Sequence, residues 1–429
     1  MPTFRLILAA AALAFGATLA ALALADGEPP RSGVPAADAP DPASTDGRIA
    51  SQQAAVRAKP GEPDGYVLLA ASYLQKVRET GDAGYYDRAR AAVDRALALD
   101  PGNAGALTER GALRLARHDF DGALADGLAA REAAPAAVRP YGVVVDALVE
   151  LGRYGEAERT LQRMISLKPD LASYARVSYQ RELHGDLAGA VKAMELAAAA
   201  GGSVAENGAY AGVLLGDLQF TRGRYGAART EYSEALDRLP GYAPALAGLA
   251  RVNAAGGRLA PAIARLREVV TRLPLPQYVV ALGETELAAG EREAARRDFA
   301  LVRVQQRALG GAGVDTDVEL AIFEADHGSA EQAVVLAERA WAATPSVRAA
   351  DARMWALTQA GRAREALRWI PRALALGTRD PLFLYHAGMT ARAGGRPAQA
   401  RGLLERALAQ SPRFSPLYAP RAQAALESL

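Results

Sequence analysis

The sequence predicts an all-α chain organised as a solenoid of about ten helix–turn–helix units. Three observations lead there. An alanine recurs about every 34 residues, at Ala89, Ala123, Ala157, Ala190, Ala228, Ala262, Ala295, Ala333, Ala366 and Ala400. A proline stands twelve positions after seven of them, at Pro101, Pro135, Pro169, Pro240, Pro274, Pro345 and Pro412. Half the residues are apolar but only 6% are aromatic. That small-residue composition suits closely packed helices, because alanine is the strongest helix former and lets helix axes approach.

The first element is an export segment. Residues 1–25 carry one charge, Arg5, followed by an uncharged alanine- and leucine-rich run that ends in Ala23-Leu24-Ala25 before Asp26. A small-x-small closure of this kind predicts a signal peptide. The alternative is an uncleaved N-terminal membrane anchor, since about 20 apolar residues can span a bilayer. Either reading places the rest of the chain outside the cytoplasm, in the envelope or the extracellular space. Residues 26–45, rich in proline, glycine and small polar residues, have little to bury and form a flexible linker. Residues 46–62 form a partial N-terminal helix, residues 63–413 the repeat array, and residues 414–429 the capping helix that a solenoid needs at its far end.

Within the array, proline ends the second helix of a unit because it cannot continue it. Unit one carries about seven extra residues, QKVRETG, which should lengthen a turn or a helix end. After Ala200 and after Leu309 the ladder is delayed, and the glycine-rich stretches there are expected to act as joints near residues 200–208 and 309–316.

Other functions find little support in composition. The net charge of +2 is near neutral, so nothing argues for nucleic acid, whose binding would be expected to show as a strongly basic face. The absence of cysteine removes disulfides, thiolate metal sites and cysteine nucleophiles. His118, His184, His327 and His386 lack the i, i+4 spacing of a zinc-binding helix, and Asp326-His327-Gly328 reads as a turn. The Gly310-Gly311-Ala312-Gly313 cluster lacks the strand before it and the lysine after it that a phosphate loop requires. No G-x-S-x-G motif points to a nucleophilic serine. No metal, cofactor or catalytic residue is expected.

The residue pattern resembles the tetratricopeptide repeat. Its fifth unit has Leu215-Gly216, Ala228, Tyr232, Ala235 and Pro240, and its tenth has Ala387-Gly388, Ala400, Leu404, Ala407 and Pro412. The resemblance runs from about Asp64 to Pro412. It implies a right-handed superhelix whose first helices line a concave groove, and a scaffold that binds protein or peptide. The family register places Asp146, Glu150, Tyr179, Glu182, Asp217 and Phe220 on that inner face in units three to five. In units eight to ten it adds Asp326, Asp351, Trp355, Tyr385, Met389 and Arg392. Carboxylates interleaved with aromatics would suit an extended partner with basic and apolar side chains. A second reading is a small ligand or glycan stacked on Trp355 and Tyr385; an enzyme with an unrecognised site ranks last. The asparagine–lysine ladder with which some family members clamp a C-terminal carboxylate is missing.

Overall fold

The computed structural model describes residue 41 and residues 44–429. The expected signal or anchor (1–25) and nearly all of the linker (26–45) lie outside the described residues. Among these, no strand occurs, and no helix is long and apolar enough to cross a membrane.

Helix α1 (Thr45–Ala58), capped by the Ser44 side chain, leads into ten units. These are α2/α3 (Pro63–Thr80, Gly84–Leu99), α4/α5 (Ala104–Ala116, Phe120–Ala133), α6/α7 (Val138–Glu150, Tyr154–Leu167) and α8/α9 (Leu171–Leu183, Leu187–Ala200). Next come α10/α11 (Ala205–Thr221, Tyr225–Arg238), α12/α13 (Ala243–Ala255, Leu259–Arg272) and α14/α15 (Pro276–Ala288, Arg292–Gly311). The eighth unit is α16/α17 (Asp317–His327, Ala330–Ala343). The ninth is α18 (Val347–Gln359) with a broken second helix: α19 (Ala363–Ala366), a 3₁₀ turn (Leu367–Trp369) and α20 (Ile370–Ala373). Pro371 explains the break, since it removes one backbone donor and crowds the turn before it. The tenth unit is α21/α22 (Pro381–Ala393, Pro397–Gln410), and α23 (Tyr418–Glu427) caps the stack.

The alanine ladder is the packing axis. All ten alanines have 0% exposure, so each sits where a longer side chain would force helices apart. The residue one turn later is the larger filler: Val93, Leu161, Met194, Tyr232, Leu266, Phe299 and Leu404 are all buried. Unit five shows the fit most clearly. A Cβ placed on Gly216 or on Gly248 would lie 2.4 Å from the ring of Tyr232, so two helices from successive units leave room for one phenol.

The insertions are taken up largely by helix. The extra residues of unit one extend α2 to Thr80, where left-handed Gly81 ends it. The interval after Ala200 becomes a four-residue connection and a lengthened α10, and that after Leu309 extends α15 through Gly311. The expected joint at 309–316 is held in place: Gly313 follows α15 with a φ of 73°, and the Asp315 amide donates to the Arg117 carbonyl at 3.0 Å.

That contact reveals the long-range geometry. The superhelix returns to itself after five to six units. The Tyr154 hydroxyl accepts from the Val347 amide at 2.9 Å, 193 residues away. The Ser411 hydroxyl lies 2.9 Å from that of Tyr225, 186 residues away. Turns between paired helices in the first superhelical turn thus rest against the second. Gly152, with a φ of 72°, approaches so closely that a Cβ there would lie 2.5 Å from the Pro345 carbonyl oxygen. Gly185 meets the Gly377 carbonyl in the same way at 2.4 Å.

Candidate functional site

The inner face is built from the first helices of the units, and the structure places most of the sequence-selected residues there as partners of one another. An acidic side chain on one such helix is met by a base on the next. Asp146 receives both arms of Arg176, at 2.7 and 2.6 Å, and the pair is buried. Glu109 is bound by Arg139 in the same sense. Asp217 accepts from Arg251 and, at 2.6 Å, from the Tyr232 hydroxyl, while the Arg251 guanidinium lies 4.2 Å over Phe220. Asp351 accepts from His386 at 3.0 Å, and Asp326 accepts from the Trp355 indole at 2.9 Å. Arg348 binds Glu319 of the preceding unit at 2.8 Å and, across the seam between superhelical turns, Glu150 at 2.8 Å.

The expected open acidic groove is therefore corrected for these residues. Their carboxylates form a ladder that ties unit to unit, which removes the physical basis for a specifically basic partner. Burial pushes the Asp146 carboxyl up to about 7 against the pull of Arg176. Trp355 and Tyr385 are buried as well, at 3% and 1% exposure. Trp355 stacks on His386 at 4.3 Å, and Tyr385 packs between Trp355 and Tyr418; neither offers a free stacking face. Tyr179 and Glu182 are half-buried, and burial raises the Tyr179 hydroxyl. Met389 packs at the edge of the C-terminal core, and exposed Arg392 donates to Ser428. The sequence carried a signal for the ladder that single-residue reading missed: each acid is followed by its partner about one 34-residue repeat later.

What remains open lies beside the ladder. A groove of about 770 Å³ runs across the N-terminal ends of α4, α6, α8 and α10. Its walls are mostly small and aliphatic (Ala104, Thr108, Val138, Val143, Leu171, Val204), with Lys168 and Asp170 at the rim. A second cavity of about 510 Å³ lies between the superhelical turns, walled by Tyr86, Tyr210, Tyr242 and Tyr278 with Arg78 and Glu206 nearby. Sequence register could not find it, because its walls come from units far apart in the chain.

The histidines differ from one another. His118 stacks on Phe120 in a turn, and His184 caps α8 through the Gln180 carbonyl. His327 is the last residue of α16 and turns inward to Glu284 at 3.1 Å. The reading of Asp326-His327-Gly328 as a plain turn is thus corrected: Asp326, His327 and Glu284 bring one ligating atom each within 4.8 Å of one another.

Residues 219–283 match the family model described as tetratricopeptide repeat. Among solved structures, the chain is similar to the Cut9–Hcn1 hetero-tetramer of the APC/C at 15% identity, covering 89% of this chain and 92% of that one with a TM-score of 0.38. It is similar to the human IFIT1 dimer with PPP-AAAA at 15% identity, covering 84% and 94% with a TM-score of 0.44. It is also similar to PilW, a type IV pilus biogenesis factor, at 18% identity, covering 47% and 92% with a TM-score of 0.39. No curated protein matches the sequence. Ten helical pairs stacked in register on a buried alanine ladder make the described chain an all-α solenoid, within which residues 219–283 match the tetratricopeptide-repeat model.

Proposed function

We propose that the protein is an exported or envelope-associated scaffold that holds a polypeptide partner in the groove across α4, α6, α8 and α10. The observation that carries the reading is the groove itself: about 770 Å³ of mainly small-residue wall, on a face that internal ion pairs hold rigid. A rigid, shallow, largely apolar trough suits an extended segment with small apolar side chains, because little ordering is needed on the receptor side. The export half of the proposal rests on residues 1–25 and their Ala23-Leu24-Ala25 closure.

The test is site-specific photo-crosslinking in cells. A crosslinker at Val138 or Val204 should capture a polypeptide that one at Arg163, on the opposite helix of unit three, does not. Equal capture from all three positions, or capture of RNA instead, would contradict the groove assignment. N-terminal sequencing of the cellular protein addresses export: a start at Asp26 supports cleavage, and an intact Met1 supports an anchor.

The aromatic cavity favours one further reading, a small ligand between the superhelical turns. Its size lies within the range of small-molecule sites. A ligand bound there would raise the melting temperature with no protein partner present.

A further inference from the structure

We propose that Glu284, Asp326 and His327 form a binding site for a divalent transition-metal ion of the zinc or manganese class. The three come from adjacent first helices. Glu284 lies on α14 of unit seven, and Asp326 and His327 close α16 of unit eight. One ligating atom of each lies within 4.8 Å of the other two. Tetrahedral zinc with bonds of about 2.0–2.2 Å needs ligand atoms roughly 3.3 Å apart, so small side-chain movements would close the set. One imidazole and two carboxylates is a mixed nitrogen–oxygen set, which fits zinc, manganese or iron better than calcium or magnesium.

An independent observation points to a ligand at this place. Glu284 is 3% exposed. Its Oε1 accepts from His327 and, at 3.1 Å, from the Tyr418 hydroxyl. The Oε2 of the same carboxylate is buried with no hydrogen-bond partner. An unsatisfied buried carboxylate oxygen is costly, and a bound ion is one of the few arrangements that satisfies such a group in a native protein. A cation shared with Asp326 and His327 satisfies it.

The surroundings are those of an oriented ligand set. The Trp355 indole donates to Asp326 at 2.9 Å and the Tyr418 hydroxyl donates to Glu284, so each carboxylate is already held by a second group. The His327 ring stacks on Phe299 at 4.2 Å, which fixes its plane. Arg303 binds the His327 carbonyl at 3.1 Å and Glu324 at 2.8 Å, pinning the end of α16. Supporting hydrogen bonds of this kind set the direction and basicity of metal ligands. The competing account of the same contacts is an internal histidine–glutamate ion pair that takes no metal.

The experiment uses the tag-free chain, stripped with chelator and titrated with Zn²⁺ by calorimetry and with Co²⁺ by visible absorbance. Expected are one equivalent of Zn²⁺, Co²⁺ d–d bands showing a nitrogen–oxygen site, and a metal-dependent rise in melting temperature. His327→Asn and Asp326→Asn should weaken binding by at least tenfold, and Trp355→Phe by about 10–100-fold through its supporting bond. His118→Asn, far along the chain, should leave it unchanged, and circular dichroism verifies that each variant is folded. If a variant unfolds, Trp355→Phe and the wild-type Co²⁺ spectrum still decide. No saturable binding by the wild type, or binding that survives both ligand substitutions in folded protein, would overturn the site and leave the ion pair alone.

Discussion

Tyr232 shows how one side chain serves both packing and polarity. Its ring fills the space left by Gly216 and Gly248, and its hydroxyl links Asp217 to Arg251. Tyr232→Phe keeps the ring and removes the link, so it should cost about 1–3 kcal/mol by leaving buried charged groups with one partner fewer; urea unfolding measures it. Asp146 gives a pH-dependent counterpart. Burial raises its carboxyl to about 7, so the folded chain holds that proton more tightly than the unfolded chain. The resulting contribution to stability is complete below the ordinary carboxylate range and is lost as pH rises to about 7. Between pH 4 and pH 7 the melting temperature of the wild type should therefore fall relative to that of Asp146→Asn. A constant difference over that range would contradict the raised value. These roles were only partly legible in the sequence. The repeat register put Asp146, Asp217 and Asp351 on the inner face, but which base meets which acid depends on the rotation between units, and no single unit encodes that.

At the scale of the element, glycines in the turns between paired helices separate local strain from contact between superhelical turns. Gly152 and Gly290 both have positive φ, at 72° and 83°. A Cβ at Gly152 would strike the Pro345 carbonyl, whereas one at Gly290 would meet nothing within 4 Å. Alanine costs about 1–2 kcal/mol at either position through its left-handed backbone. Gly152→Ala should cost clearly more in thermal unfolding, and the excess reports the seam. Equal losses would mean that the two turns do not touch. The alanine and proline ladder made the helices and their pairing legible, because each position answers to a neighbour one unit away. The fate of the insertions was less legible. Glycines at 310 and 311 suggested a loop, but the helix continues through them to Gly311, and the chain then docks on Arg117 through the Gly313 carbonyl. Burial of Val314 and bonds to a unit almost 200 residues away outweigh the low helix propensity of glycine.

At the scale of the whole molecule, the solenoid closes on itself, and inner carboxylates such as Asp146, Asp217 and Asp351 are engaged by internal bases. Arg348 joins both features, since it binds Glu319 within one superhelical turn and Glu150 in the other. Arg348→Ala leaves two buried carboxylates without their partner and should cost about 3–5 kcal/mol, with a larger radius of gyration in small-angle scattering as the turns separate. Closure was the least legible property of the sequence. The period reports contacts between neighbours, whereas the superhelical pitch arises from small rotations summed over five to six units. Because the chain contains no cysteine, closure can be tested without background. The Asp315 amide donates to the Arg117 carbonyl at 3.0 Å, a direct backbone contact that makes the pair a candidate for a disulfide, which needs Cα atoms about 4.4–6.8 Å apart. In an Arg117→Cys/Asp315→Cys double variant, mild oxidation should give an intramolecular disulfide in the monomer, near-complete and reversible by reductant. Free thiols throughout, or only intermolecular dimers, would show an open solenoid and contradict the account.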